Sequence, residues 1–363
     1  MKKLLVIFLL IPTLASAQFR GEGNNMLGVD FYKGFILKHK SAIAHLIVDH
    51  PVGFRVTYDK QTFGHEAWEK RYNYPDVGLT FTYLDYKNEV LGKTLSLIPH
   101  YQIYLRKNRE AKSQFNYKIG LGLGYHTNKY DKVENNKNNA LSTRMSFGVI
   151  FQAGYLYKIT ERLNFTTTLT LTHFSNGSIK KPNSGINVIS SNFGISYQLK
   201  PSTQQYLNPE DEPLDKSGLG YTFTFTSGMH EAITKGVGTY PFYTFSGLAD
   251  KTLNHKSKLG VMVDWFHSRA LKREVEVDED LNGERPDFNR IGVGLSHELV
   301  MNDYSVVSQV GYYVYAPYTP FEPVYFRLGL RRYFKEKLYA GISVKSHFAK
   351  AESAEFALGW RFK

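Results

Sequence analysis

The sequence predicts an all-β protein, an antiparallel transmembrane β-barrel of about 14–16 strands of the Gram-negative outer-membrane type. The first observation is composition: 26 Tyr, 25 Phe and 30 Gly stand among 363 residues, with no cysteine. The second is a period-2 alternation of large apolar with polar or small residues, which is typical of strands with two different faces. The third is an N-terminal export signal, which suits a barrel of the outer membrane.

The export signal is predicted for residues 1–17. Two lysines precede an apolar run, and the sequence Ala-Ser-Ala at 15–17 gives a small-residue cleavage site. Without cysteine, we expect neither a lipid-attachment cysteine nor a disulfide framework. The later sequence holds no apolar run of about 18 residues, so no transmembrane helix is predicted. The net charge of +12 indicates an anionic partner or surface, for which phosphate-bearing lipid is favoured over nucleic acid; the alternative is a basic surface that is simply solvated.

The alternation is clear at residues 115–126. The odd positions are large and apolar from Phe115 to Tyr125, whereas the even positions include three glycines and His126. A soluble sandwich would bury the apolar face, and a lipid-embedded barrel would turn it outward. Strands of about 10–14 residues are long for a sandwich and suit tilted membrane strands. The pattern therefore favours the barrel.

The strands fall into two groups. Residues 18–200 are predicted to form a first set of barrel strands, 201–218 a polar linker, and 219–363 a second set of about eight strands. The first eight strands are predicted near 27–36, 47–60, 76–86, 90–106, 114–126, 144–158, 163–175 and 187–199. The pattern leaves open whether all strands close one wide barrel or whether the linker separates two smaller units.

Loop lengths predict the orientation of the barrel. The connection at 159–162 is short, as periplasmic turns are, whereas the polar segments 127–142 and 271–287 are long, as extracellular loops are. The segment 61–74 is long for a periplasmic turn and fits less well. On this scheme the turn at 174–186 is extracellular.

That turn belongs to the stretch HFSNGSIKKPNSGIN, residues 173–187. His173 and Ser175 continue the apolar, lipid-facing row of one strand, and Asn187 heads the apolar row of the next. Side chains on one face of neighbouring strands are about 5 Å apart, so these three are within reach of each other. Polar groups that face lipid are costly without partners, which suggests a hydrolase acting on lipid esters. The alternative is a polar strand end in which Asn183 and Gly185 merely make turns.

The same stretch resembles the active-site segment of the outer-membrane lipid A 3-O-deacylase (acyloxyacyl hydrolase-like) family. Members carry H-x-S-N, a P-N-x-G turn and an acidic residue twelve positions after the serine. The resemblance implies that His173 is the general base and Ser175 the nucleophile, with Asn176 and Gly177 at the oxyanion hole and Asn183 and Gly185 in the turn. It is specific over about fifteen residues and extends loosely over residues 26–200.

The third catalytic position departs from that family, because Asn187 stands where its members have an acidic residue. Outer-membrane phospholipase A is similar in using a His-Ser-Asn triad with asparagine at this spacing, and that family is assisted by calcium. The carbonyl oxygen of Asn187 can accept the Nδ1–H of His173 and fix its tautomer, but it brings no charge to stabilise an imidazolium.

The resemblance implies an outer-membrane serine esterase that removes an acyl chain from lipid A of the outer leaflet. No cofactor or metal is expected, and calcium would enter only with the phospholipase alternative. A third alternative is a porin-like barrel without catalysis. Lys180 and Lys181 are weaker candidates for binding the phosphates of lipid A, since loop lysines are often simply solvated.

Overall fold

A computed structural model describes residues 24–200, 204–211, 213–214, 218–234, 236–278, 281–318, 320–334, 337–348 and 350–362. The predicted export signal at 1–17 lies outside these residues, as does part of the predicted linker at 201–218. No helix in the described ranges is long and apolar enough to cross a membrane.

The described residues contain sixteen strands in two closed antiparallel barrels of eight strands each. The fold prediction is thus confirmed, and the sixteen strands form two smaller barrels instead of one wide one. Barrel 1 contains β1 Asn25–Ile36, β2 Val52–Gln61, β3 Asp76–Asp85, β4 Lys93–Tyr104, β5 Ser113–His126, β6 Met145–Lys158, β7 Leu163–Ser175 and β8 Ile186–Gln198. Barrel 2 contains β9 Gly220–Glu231, β10 Thr239–Asn254, β11 Ser257–Ser268, β12 Arg290–Met301, β13 Tyr304–Tyr315, β14 Val324–Phe334, β15 Leu338–His347 and β16 Lys350–Arg361.

Each barrel is closed by its own first and last strands. In barrel 1, β1 pairs with β8, with Met26 opposite Gln198. In barrel 2, β9 pairs with β16, with Phe223 opposite Trp360. The described chain divides into two compact units: the first carries β1–β8 with the segment Pro182–Asp211, and the second carries β9–β16 with the segment Gly177–Lys181.

The strands of barrel 1 turn their apolar faces outward, as the alternation predicts for a lipid-embedded barrel. On β7, Leu169 and Leu171 are 57% and 40% exposed, whereas Thr170 and Thr172 at the alternate positions are buried inside the barrel. Because side chains alternate along a strand, the odd-numbered residues of β7 share the outward face. This parity assigns His173 and Ser175 to that face.

The interior of barrel 1 is polar along the strands and apolar near one end. That end, called here its loop end, carries the β1–β2, β3–β4, β5–β6 and β7–β8 connections. Deeper in the barrel, Asn192 Nδ2 donates to Thr168 Oγ1 at 2.6 Å and to Thr170 Oγ1 at 2.8 Å. At the loop end a buried cluster forms an apolar plug; it comprises Tyr32, Ile36, Ile43, Leu46, Leu84, Tyr86, Leu91, Ala140, Leu141, Phe174, Ile186 and Val188.

The plug explains one error in the predicted strands. The sequence places the second strand at 47–60, but β2 begins at Val52. The preceding Ser41–Leu46 forms a 3-10 helix, and its Ile43 and Leu46 are buried in the plug. Apolar residues that resemble the start of a strand therefore close the loop end instead.

Barrel 2 is filled by ion pairs. Glu352 accepts from Arg290 at 2.5 Å, Lys345 at 2.8 Å and His347 at 2.9 Å, and all four side chains are almost fully buried. Farther along the interior, Arg327 pairs with Asp264 and Glu355, and Arg361 pairs with Asp250. Buried charges persist because each has a partner of opposite sign.

Two short α-helices lie in connections between strands. Helix α1, Ala67–Arg71, lies between β2 and β3, where the linker segment packs on the same loop: the Tyr206 ring lies 4.9 Å from that of Tyr74. Helix α2, Arg269–Val277, follows β11 directly, and Ser268 Oγ caps it by accepting from Leu271 N. Helix α2 lies at the loop end of barrel 2, defined as the end with the β9–β10, β11–β12, β13–β14 and β15–β16 connections.

Candidate active site

The β7–β8 hairpin brings together three of the predicted site residues. His173 on β7 is directly opposite Asn187 on β8, and Ser175 follows His173 by two residues on the same face. The neighbouring strand β6 places Phe147 opposite Ser175 and Val149 opposite His173. The three polar side chains therefore lie in one patch on the outer wall of barrel 1, beside apolar residues, at the loop end.

Two hydrogen bonds link the three side chains in sequence. His173 Nδ1 lies 2.6 Å from Asn187 Oδ1, and His173 Nε2 lies 3.0 Å from Ser175 Oγ. Because a carbonyl oxygen can only accept, Nδ1 must carry the proton, and Nε2 then presents a lone pair to the serine hydroxyl. This is the arrangement in which a histidine can take the proton of a serine nucleophile.

Phe174 anchors the patch from the inside. It lies between His173 and Ser175 in sequence, so it points to the opposite face, where it is fully buried in the apolar plug. Gly124 and Gly148 make room for it: a Cβ on either glycine would lie within 3 Å of the Phe174 ring. The fit of this ring holds β7 in the orientation that keeps the histidine and the serine outward.

Gly185 lets the turn return close to the histidine. Its φ of +73° lies in the left-handed region, and a Cβ there would lie 3.0 Å from His173 Cε1. The turn is fixed from the β5–β6 loop, because Ser184 N donates to Asn139 O and Gly185 N to Ala140 O, each at 3.1 Å. Glycine is therefore required both by the backbone conformation and by the close approach.

Asn176 and Asn183 are bonded to each other and to the neighbouring loop. Asn176 N donates to Asn183 Oδ1 at 3.2 Å, and Asn176 Nδ2 donates to Ser142 Oγ at 2.9 Å. The Asn176 side chain is thus directed toward the β5–β6 loop in this structure. Gly177, the next candidate donor, has a φ of +62° and belongs to the second unit.

The two candidate lysines differ in their surroundings. Lys180 is exposed. Lys181 is half-buried, and its Nζ donates to Ala232 O at 2.8 Å within the second unit. Burial, with the nearby charge of Lys350, holds the pKa of Lys181 below its ordinary value. Of the two, Lys180 is the more exposed residue.

Sequence reasoning missed the residues that support the hairpin. Leu37 N donates to Asn187 O at 2.8 Å, and His39 Nε2 lies 3.0 Å from Ser184 O. With Ser142, these contacts come from the β1–β2 and β5–β6 loops, far from the hairpin in sequence. The only signal for them was the asparagine-rich character of 127–142, which indicated a long loop but not its partner.

Within the described ranges, no group of three or more His, Cys, Asp or Glu residues is arranged to hold a metal ion. The three site residues could contribute one imidazole, one hydroxyl and one amide oxygen. Their hydrogen bonds to each other suit proton transfer and nucleophilic attack on a carbonyl carbon.

Comparison with known families and structures adds an independent finding. A family model described as lipid A 3-O-deacylase (PagL) matches residues 52–196, which include the whole β7–β8 hairpin. A second model, described as acyloxyacyl hydrolase, C-terminal domain, matches residues 219–363. Together they span about four fifths of the chain. No curated protein matches the chain.

Among solved structures, the outer membrane enzyme PagL is similar at 14% identity with a TM-score of 0.35, over 46% of this chain and 97% of that one. Neisserial surface protein A is similar at 10% identity with a TM-score of 0.34, over 48% and 97%. Ail of Yersinia pestis is similar at 13% identity with a TM-score of 0.28, over 49% and 100%.

Proposed function

We propose, on the premise that the chain belongs to the lipid A 3-O-deacylase family, that it is a hydrolase that removes an ester-linked acyl chain from lipid A. The family places the protein in the outer membrane. The observation that carries the finer proposal is the position of His173, which bridges Asn187 Oδ1 and Ser175 Oγ on the outward face. An esterase whose substrate lies in the membrane needs its nucleophile on that face.

In the proposed reaction, Ser175 Oγ attacks the ester carbonyl carbon while His173 Nε2 takes the hydroxyl proton. The tetrahedral intermediate collapses, the carbon–oxygen bond to the sugar breaks, and His173 returns the proton to the sugar oxygen. Water then attacks the acyl-serine, His173 accepts its proton, and the fatty acid leaves as that proton returns to Ser175. The first product is lipid A with one free hydroxyl.

Asn187 and the Asn176–Gly177 peptide have supporting roles in this proposal. Asn187 holds the Nδ1–H of His173, so that Nε2 stays available as the base. Backbone N–H groups at the Asn176–Gly177 turn would donate to the oxyanion, which requires the Asn176 N–H to leave Asn183 Oδ1 when substrate binds. Lys180 would contact a substrate phosphate.

The test is mass spectrometry of lipid A from cells that express the wild type, Ser175→Ala or His173→Ala. We expect loss of one 3-hydroxyacyl group with the wild type only. Ser191→Ala is the matched control, because Ser191 lies on the same outward row of β8 but four residues from Asn187. Unchanged lipid A with the wild type would contradict the proposal.

A phospholipase A activity is the second candidate, and Asn187 is the observation that favours it. The two activities separate in one assay of the purified protein with lipid A or a glycerophospholipid, each with calcium or with a chelator. Release of fatty acid from lipid A in the presence of chelator supports the deacylase. Calcium-dependent release from the glycerophospholipid alone supports the phospholipase.

A further inference from the structure

The outer wall of barrel 2 carries a polar row at its loop end. Tyr243 is directly opposite His267, and His267 Nδ1 lies 2.9 Å from Asn289 Oδ1. This histidine–asparagine pair resembles His173 and Asn187 in barrel 1, but Arg269 stands two residues after the histidine, where barrel 1 has Ser175. Without a serine at that place, the row suits binding and not acyl transfer.

Two charged side chains beside this row, Lys272 and Asp287, suit a phosphorylated sugar head. Lys272 Nζ lies 5.9 Å from the centre of the Phe288 ring, which itself packs 5.2 Å from His267. Asp287 accepts hydrogen bonds from Asn289 and Tyr315, and these bonds hold the pKa of Asp287 below its usual value. Cations suit phosphate oxygens, and a carboxylate suits sugar hydroxyls.

An aromatic row follows on the same outward face, one step deeper. Phe245 lies between Phe225 and Trp265, with ring centres 5.3 Å and 5.7 Å apart. Aromatic side chains at this level are typical of the boundary between headgroups and hydrocarbon. The row therefore marks the depth at which a lipid changes from polar to apolar.

An apolar groove lies beneath the aromatic row. Gly247 and Ala249 are its floor on β10, and neighbouring strands place Phe223 and Val263 on either side of Gly247. The groove is an open concavity of about 690 Å³, and a Cβ built on Gly247 meets no atom within 4 Å. None of the residues that line it is charged. The lining extends from β9 to β12, and its lowest part is the dip at Gly247 between Phe223 and Val263, a width that suits a hydrocarbon chain.

The distance from the polar row to the groove matches the thickness of one leaflet of a membrane. From His267 to Val261 on β11 is six residues, or about 20 Å along a strand. A strand tilt of about 45° reduces this to about 14 Å along the membrane normal. Half of a hydrocarbon core of about 30 Å is about 15 Å. A chain whose head lies at the polar row would thus reach the groove within its own leaflet.

We propose that barrel 2 holds a molecule of lipid A at this column without hydrolysing it, with its phosphorylated head at Tyr243, His267 and Asn289 and one acyl chain in the groove at Gly247. The loop end is predicted to face the outer leaflet, where lipid A lies. The inference rests on the outer-membrane location and not on hydrolysis at Ser175.

The test is native mass spectrometry of the purified full chain in detergent, mixed with lipid A or with phosphatidylethanolamine. All variants carry Ser175→Ala, so that barrel 1 cannot turn lipid A over. Because the barrel 1 patch can still bind its substrate, retention here means the population of protein that carries a second lipid A molecule. We expect Gly247→Leu, which fills the groove, to lower lipid A retention about tenfold or more, or about 1.4 kcal/mol. Ala249→Leu should have the same effect, which guards against a folding defect peculiar to one variant.

Ala153→Leu is the matched control for Ala249→Leu, since it adds the same apolar volume on the outward face of β6 in barrel 1. Retention of lipid A by this control, and its loss from both groove variants, would support the proposal. Equal retention in all variants would overturn it. Loss of phosphatidylethanolamine in place of lipid A, or a change of oligomeric state without lipid loss, would overturn lipid A as the occupant. Hydrolysis assays separate this result from the proposed function. They use protein that keeps the native Ser175, in which Gly247→Leu alone should leave fatty-acid release unchanged.

Discussion

The two barrels share strand number and closure but differ in the polar groups that they carry. Barrel 1 combines hydroxyl and amide side chains in its interior, such as Asn192 and Thr170, with buried pairs such as Arg109 with Asp76, and it carries a serine beside a histidine on its outer wall. Barrel 2 fills its interior with ion pairs around Glu352 and Arg327 and has a histidine–asparagine pair outside without the serine. The comparison teaches that the fold leaves the outer wall free to carry different chemistry.

The largest expected difference between the barrels is in activity. Ser175→Ala should lower ester hydrolysis by about 10³-fold or more, because a serine nucleophile and its base act as a unit. Ser227→Ala, on the outward face of β9 in barrel 2, should change the rate little. The measurement is fatty-acid release from lipid A by each purified variant. Equal loss in both variants would break the contrast between the barrels.

The next largest effect concerns the interiors. Glu352→Gln removes the carboxylate shared by Arg290, Lys345 and His347, so barrel 2 should lose about 3–5 kcal/mol of unfolding free energy. In barrel 1, Asn192→Ala breaks neutral hydrogen bonds and should cost about 1–3 kcal/mol.

Tryptophan fluorescence during urea unfolding in lipid vesicles can follow the barrels separately. Trp68 lies in barrel 1, and Trp265 and Trp360 lie in barrel 2. In a Trp68→Phe background the signal reports on barrel 2 alone. If barrel 2 of the Glu352→Gln variant unfolds at the same urea concentration as the wild type, the ion pairs make no net contribution to its unfolding free energy.

A glycine pair tests the turn beside the histidine. Gly185→Ala and Gly236→Ala both place a side chain at positive φ, which costs about 1 kcal/mol. Only the Cβ at 185 approaches His173, whereas the Cβ at 236 meets nothing within 4 Å. We expect hydrolysis to fall about fivefold in Gly185→Ala and to be unchanged in Gly236→Ala. The comparison fails if both variants lose the same activity.

The smallest expected effect is an increase in the rate of hydrolysis. Asn187→Asp keeps the shape of the side chain and gives His173 a carboxylate that stabilises the imidazolium formed during attack. We expect the rate to rise a few-fold, less than the serine-protease precedent of about 10⁴, because a carboxylate facing lipid is costly to desolvate. The initial rates of both forms on lipid A across a pH series decide this. A lower rate at every pH would show that asparagine is the better partner here.

The strands were predictable because lipid and lumen impose a strict two-residue alternation. The predicted strand at 163–175 matches β7 residue for residue. Closure into two rings was not predictable, since it depends on the pairing of β1 with β8, which lie more than one hundred residues apart. The predicted start of β2 was wrong because Ile43 and Leu46, whose pattern resembles a strand, are buried in the plug instead.

The site was partly predictable for the same reason. Parity and spacing predicted that His173, Ser175 and Asn187 would be neighbours, and the structure places them within hydrogen-bonding distance. The contacts of Asn176 with Ser142 and of Lys181 with Ala232 join segments far apart in sequence, and no local pattern encodes them. The catalytic roles of His173, Ser175 and Asn187 stay predictions that the variants above can test.

The closure of each ring by its own strands has a consequence for assembly in the membrane. All eight strands of barrel 1 precede residue 200, and its last strand pairs with its first. An open sheet exposes unpaired backbone groups that lipid cannot satisfy, so a ring must close as it inserts. Barrel 1 can close without a single residue of β9–β16. Biogenesis can therefore proceed as two successive insertion events. The slow, long-range step of the first is the pairing of β1 with β8, and that of the second is the pairing of β9 with β16.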